Sequence, residues 1–161
     1  MRDIKFQALV VKHALRNLGS NVHRAGIDSY EEIIDVHDIS FDNGKIDCVS
    51  DKDGDEYSFA DKSLKAVRQY TGLKDKNDKK IYEGDAIFWE IDNGVGIESY
   101  SAVVYYSENT EKYKGMYKWI VVYLGDFHRG EFDELRTPSR YKDSLQVFGN
   151  IYESPELLTE K

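Results

Sequence analysis

The sequence predicts a mainly β protein with minor α content, built as a small, strongly bent antiparallel barrel and a second lobe containing a β-hairpin. Three observations carry this reading. Twelve tyrosines against two prolines in 161 residues favour strands and half-buried surfaces. Ile87, Trp89 and Ile91 alternate with Phe88 and Glu90, the period of a strand with one buried face. Asn43-Gly44 stands between two apolar-alternating runs, the signal of a two-residue type I′ hairpin turn. Residues 1–81 are expected to hold an N-terminal strand, a short helix and the acidic hairpin lobe. Residues 82–161 are expected to hold the barrel with a C-terminal cap.

Ile4, Phe6 and Ala8 alternate with polar neighbours and predict a first strand. Val11, Ala14, Leu15 and Leu18 then repeat at helical spacing, predicting a helix over about 10–18 with Gly19 as its stop. Ser29-Tyr30-Glu31-Glu32 matches a capping box, but Ile34, Val36, Ile39 and Phe41 read as extended chain. The Asn43-Gly44 turn joins that run to Ile46–Val49. Tyr57 and Phe59 follow a polar turn, and Asp61 is placed as the cap of a short helical turn through Ser63, Leu64 and Val67.

The run from Gln69 to Asp85 is turn-rich. Thr71-Gly72 interrupts the chain, Lys74 to Lys80 holds no apolar residue, and Glu83-Gly84-Asp85 forms a second tight turn before a buried strand. Strands are expected over 96–106, 116–124 and 145–151, with Phe127, Phe132 and Leu135 anchoring a connection at 126–139. Ser154-Pro155 caps one helical turn, and Leu157 and Leu158 are expected to tie down the terminus.

Apolar content of 40% places the chain among folded proteins. A net charge of −8 argues against a domain-wide nucleic-acid binder, because phosphate neutralisation supplies most non-specific affinity. Charge is unevenly spread: Arg2, Lys5, Lys12, Arg16 and Arg24 face only Asp3 in residues 1–25, whereas 26–61 hold twelve acids against Lys45 and Lys52. Cys48 is the only cysteine, which excludes an internal disulfide framework. No apolar run suggests a signal peptide or membrane span, so a cytoplasmic protein with no membrane partner is expected.

Three blocks resemble the YopX-like family of phage and prophage proteins. They are Met1-Arg2-Asp3-Ile4-Lys5-Phe6-Gln7-Ala8, the central run Gln69 to Asp85, and Val147-Phe148-Gly149-Asn150-Ile151-Tyr152-Glu153-Ser154-Pro155-Glu156-Leu157-Leu158. The family usually has Arg at the place of Gln7, Trp at Leu9, Gly at Asp78, Ile at Phe148 and Asn at Ser154. The resemblance implies an SH3-like barrel for residues 82–152 and an uncharacterised role, and it brings no catalytic or ligand residue. Asp78 in place of glycine predicts a longer or different turn than type I′ at Asn77-Asp78.

No catalytic constellation is legible. Asp51-Lys52-Asp53-Gly54-Asp55-Glu56 has the flavour of a calcium loop, but Glu56 and Lys62 stand where that loop needs glycine and glutamate. His13, His23, His37 and His128 share no ligand spacing. No enzyme activity, cofactor or metal is expected. The chain reads as a protein-interaction module, with a protein partner or self-association. The alternative is a single-stranded nucleic-acid-binding module. Either would use a candidate interaction surface of Lys112, Lys114, Tyr117, Lys118 and Trp119, where aromatic rings and cations fall close together.

Overall fold

A computed structural model describes residues 4–16, 26–107, 118–125, 129–135 and 144–159. The chain is mainly β and divides into two compact units: Lys5–Arg68, and Gln69–Lys161 together with Met1–Ile4. No helix among the described residues is long and apolar enough to cross a membrane.

The unit Lys5–Arg68 holds β1 (Phe6–Arg16), β2 (Gly26–Asp35), β3 (Asp38–Asp42), β4 (Lys45–Ser50), β5 (Glu56–Ser58) and the start of β6 (Leu64–Lys74). β1 lies between β2 and β6, and β3, β4 and β5 form a second sheet in that order. Ala8, Val10, Ile34, Val49, Tyr57 and Leu64 make its core. Gln7 links three strands: its Oε1 accepts from Arg68 Nε and Nη2 at 3.1 and 2.7 Å, and its Nε2 donates to Asp35 Oδ1 at 3.0 Å.

Two expected helices are strands. The stretch 10–16 continues β1, antiparallel to β2 from Gln7↔Asp35 to Arg16↔Gly26. The helical spacing is a coincidence of where the apolar residues fall in a mixed run. Ala8 and Val10 are both fully buried, and that two-residue period, reinforced by the β-branched pair Val10-Val11, wins over it. The residues around Gly19 lie outside those described. Asp61 likewise caps no helix: its Oδ1 accepts from Ser63 N and Oγ, a local turn that delivers the chain into β6. The 34–41 run is broken at Val36-His37, with β2 pairing to β1 before it and β3 to β4 after it. The hairpin turn is as expected, with φ of 51° at Asn43 and 78° at Gly44.

The unit beginning at Gln69 holds the end of β6, β7 (Lys80–Tyr82) and a curled, half-barrel sheet. That sheet comprises β8 (Asp85–Asp92), β9 (Ile97–Tyr106), β10 (Trp119–Tyr123), β11 (Phe132–Glu134) and β12 (Gln146–Asn150), in the order β11-β10-β9-β8-β12. Ile87 and Trp89 of β8 face inward as their alternation requires, joining Ile81, Ala102, Val104, Val121, Leu135 and Leu145. Trp89 stacks on Tyr100 at 5.5 Å between ring centroids and tilts against Tyr123 at 5.8 Å. Pro155–Leu158 form a 3-10 turn. Leu158 stays 46% exposed while Leu157 is half-buried, so of the closing leucines Leu158 does not anchor the terminus by burial. A four-residue helix offers too little of a face for that. Leu135 is buried, Phe132 is largely exposed, and Phe127 lies outside the described residues.

Candidate functional site

The central run acts as a frame. Thr71 Oγ1 donates to the Ile81 carbonyl at 2.8 Å and accepts from Leu73 N. Asp75, almost wholly buried, accepts from Asn77 N and Lys79 N on one oxygen and from Val147 N on the other. Its carboxylate therefore closes the β6–β7 connection and grips β12. Only Asp78 in that connection has a left-handed φ, at 65°, so the turn is not type I′. Asp85 Oδ2 accepts from Tyr82 N, and Gly84 exchanges backbone bonds with Val104 and Ile151. Asn150 Oδ1 caps Tyr152 N and Glu153 N. These polar groups are spent on backbone, which is what makes the two blocks so specific in sequence.

The predicted surface is only partly within view. Lys112, Lys114 and Tyr117 lie outside the described residues. Lys118 is paired with Glu134, Nζ to Oε1 at 2.7 Å. Trp119 meets Tyr106 edge to face at 5.0 Å, through the cross-strand pair Trp119↔Tyr106. Tyr106 is 48% exposed, while Trp119 is half-buried. The structure thus brings an aromatic pair together and neutralises the lysine beside it.

A second site lies in the unit Lys5–Arg68, in a cleft of about 580 Å³. The row of β1 that buries Ala8 and Val10 continues with Lys12, and the facing row of β2 runs Ile34, Glu32, Tyr30. The face therefore changes from apolar to charged within one strand length. Lys12 Nζ lies 2.7 Å from Glu32 Oε2, and the hydrogen bond to Glu32 holds the ammonium above the usual lysine range. Tyr57, on β5, sits where the core ends and is 8% exposed. Burial raises its phenol above the usual range, opposed by Lys12 and aided by Asp51 and Asp55.

The Tyr57 hydroxyl makes no hydrogen bond among the described residues. No side-chain polar atom there is sealed from solvent without a partner, so this hydroxyl opens to the cleft. A phenol closed off without a partner would cost about 1–3 kcal/mol. Val11, His13, Asp55, Glu56, Asp61 and Ser63 complete the wall. Asp61 is held below the usual carboxylate range by its hydrogen bonds to Ser63, and His13 Nδ1 shares a hydrogen bond with Ser29 Oγ.

The cleft favours the protonated forms of Lys12 and Tyr57. A nucleophilic lysine needs a lowered pKa, and a tyrosine acting as a base needs the same. Lys12 and Tyr57 shift the other way. Asp51 Oδ1 accepts from Asp53 N and Asp55 N, so the acidic turn spends its first carboxylate on its own backbone. No group of three or more His, Cys, Asp or Glu side chains suited to a metal occurs among the described residues. Cys48 is half-buried, with its Sγ 2.8 Å from Ser40 Oγ. The sequence reading missed the cleft because it put Lys12 on a helix. The alternation Ala8-Val10-Lys12 was the signal that places Lys12 at the end of a buried row.

A family model described as YopX protein matches residues 24–159. No curated protein matches the chain. Among solved structures, it is similar to the crystal structure of protein EF1440 from Enterococcus faecalis, at 18% identity and a TM-score of 0.46, over 98% of this chain and 99% of that one.

Proposed function

The chain belongs to the YopX protein family, and from that premise we propose that it is a phage- or prophage-encoded cytoplasmic accessory protein that works by binding another protein, without enzymatic activity. The observation that carries the reading is the ion pair of Lys118 with Glu134 beside the Trp119–Tyr106 pair. A strand surface that binds nucleic acid needs cations available to phosphate. Here the described lysine next to the exposed ring is neutralised within the protein. Half-buried aromatic pairs with a satisfied polar rim are the composition of protein-interface centres.

Affinity purification from host cells tests this, with the parent compared against Trp119→Ala and Tyr106→Ala. A partner, or a second copy of this chain, recovered with the parent and depleted in both variants supports the reading. Binding of a labelled single-stranded oligonucleotide at low salt, with no protein recovered, overturns it in favour of nucleic acid.

A further inference from the structure

The cleft of the unit Lys5–Arg68 has a chemistry that the interaction reading leaves undefined. Its one lysine is already matched by Glu32 at 2.7 Å. Asp55, Glu56 and Asp61 line the same space, and none of the three is paired with a cation among the described residues. Among the described residues the site therefore holds more carboxylates than cations. An acidic wall alone is usually a solvated surface, but this one shares its cleft with Tyr57, a residue more than nine-tenths buried whose hydroxyl makes no hydrogen bond among the described residues and feels the charge of Lys12 and Asp55. A core tyrosine whose hydroxyl opens to a cleft offers a donor to whatever enters it.

We propose that this cleft docks a basic peptide segment of a partner protein, with an arginine side chain seated between the Tyr30 ring and the carboxylates of Asp55 and Asp61, and the peptide accepting a hydrogen bond from the Tyr57 hydroxyl. The proposal rests on the protein-interaction reading and names the partner's chemistry. Tyr30 is 47% exposed, and an exposed ring in the cleft can receive a guanidinium. Carboxylates match the planar fork of arginine donors better than they match a single ammonium. A volume of about 580 Å³ exceeds what one side chain fills and suits a short segment with its flanking backbone. Val11 and the carbon frame of Tyr57 give its apolar part a surface.

The test is fluorescence anisotropy on the full chain with a labelled peptide of alternating arginine and glycine, beside its lysine and glutamate counterparts and free arginine as competitor. Tyr57→Phe removes only the hydroxyl, and Asp55→Asn removes one charge at unchanged shape. Glu90→Gln, on β8 of the other unit, controls for general acidity. Arginine peptide is expected to bind more tightly than lysine peptide, with affinity falling roughly tenfold in Tyr57→Phe and in Asp55→Asn and unchanged in Glu90→Gln. Equal binding to the parent and Tyr57→Phe, equal losses in Asp55→Asn and Glu90→Gln, or no binding of the arginine peptide at low salt each overturn the cleft assignment. Competition by free arginine as strong as by the peptide overturns the peptide part in favour of a small amine. If a partner is recovered from host cells and binds Tyr57→Phe and Asp55→Asn like the parent, the cleft assignment fails while the interaction reading stands. If neither peptide nor partner binds, both fail.

Discussion

The ring of Tyr152 occupies the space where a side chain on residue 84 would begin, so that any Cβ at Gly84 would collide with it. The two residues come from the central and closing blocks of the family resemblance, and the collision explains why glycine stands in one and an aromatic ring in the other. Gly84 also has a φ of 83°, a region that costs an L-residue about 1–2 kcal/mol.

Gly84→Ala should therefore destabilise the protein by about 2–4 kcal/mol, from backbone strain and overpacking together. Urea denaturation measures it. Adding Tyr152→Ala should restore only the packing part of the loss, and full restoration would show that backbone strain contributes nothing.

Asp75→Asn keeps the shape but replaces one acceptor oxygen by a donor that must face a backbone N–H. Either the 75–79 turn or Val147 loses its acceptor. A loss of about 1–3 kcal/mol is expected, with faster amide exchange at Val147 or Lys79. Unchanged exchange at both would contradict the bridging role.

Tyr57→Phe should leave thermal stability unchanged or slightly raised, because the hydroxyl it removes has no hydrogen-bond partner among the described residues. A clear drop in melting temperature would mean that the hydroxyl is structurally engaged. The same variant is the one expected to lose peptide affinity, so stability and binding separate.

Alkaline pH should weaken the unit Lys5–Arg68. The Lys12 value is raised above 10.5 by Glu32, and the Tyr57 value above 10.0 by burial. A group whose folded value is raised contributes stability that is complete below its unfolded value and lost as pH rises through the folded one. Denaturation midpoints should hold from about pH 8 to pH 10 and fall beyond, less steeply in Tyr57→Phe. A flat profile above pH 10 would contradict both shifts.

Much of the fold was legible where local chemistry dictates it. The Asn43-Gly44 turn, the inward row Ile87-Trp89-Ile91 and the turn-rich run 69–85 stand as their residues demand. The stretch 10–16 was misread because its apolar residues Val11, Ala14 and Leu15 match a helical spacing, and only pairing with β2 decides for a strand. Trp119 is half-buried against Tyr106, and the pairing of Lys118 was not legible, since Glu134 reaches it from a different strand. Tyr57 gave no signal beyond its strand, because an unmet hydroxyl is a fact of three dimensions.

The grip of Asp75 on Val147 has a consequence for how the polypeptide is born. Strands β1 to β5 and the start of β6 have been made once residue 68 emerges, so this unit can make most of its pairing while the rest is still being synthesised. The later unit cannot. Its strand β8 keeps one flank open until β12 arrives more than fifty residues afterwards, and Asp75 holds a waiting oxygen through the same interval. A ribosome stalled before residue 146 would therefore display one finished body and one exposed strand edge. That nascent edge, not the mature surface, is where a chaperone would be needed.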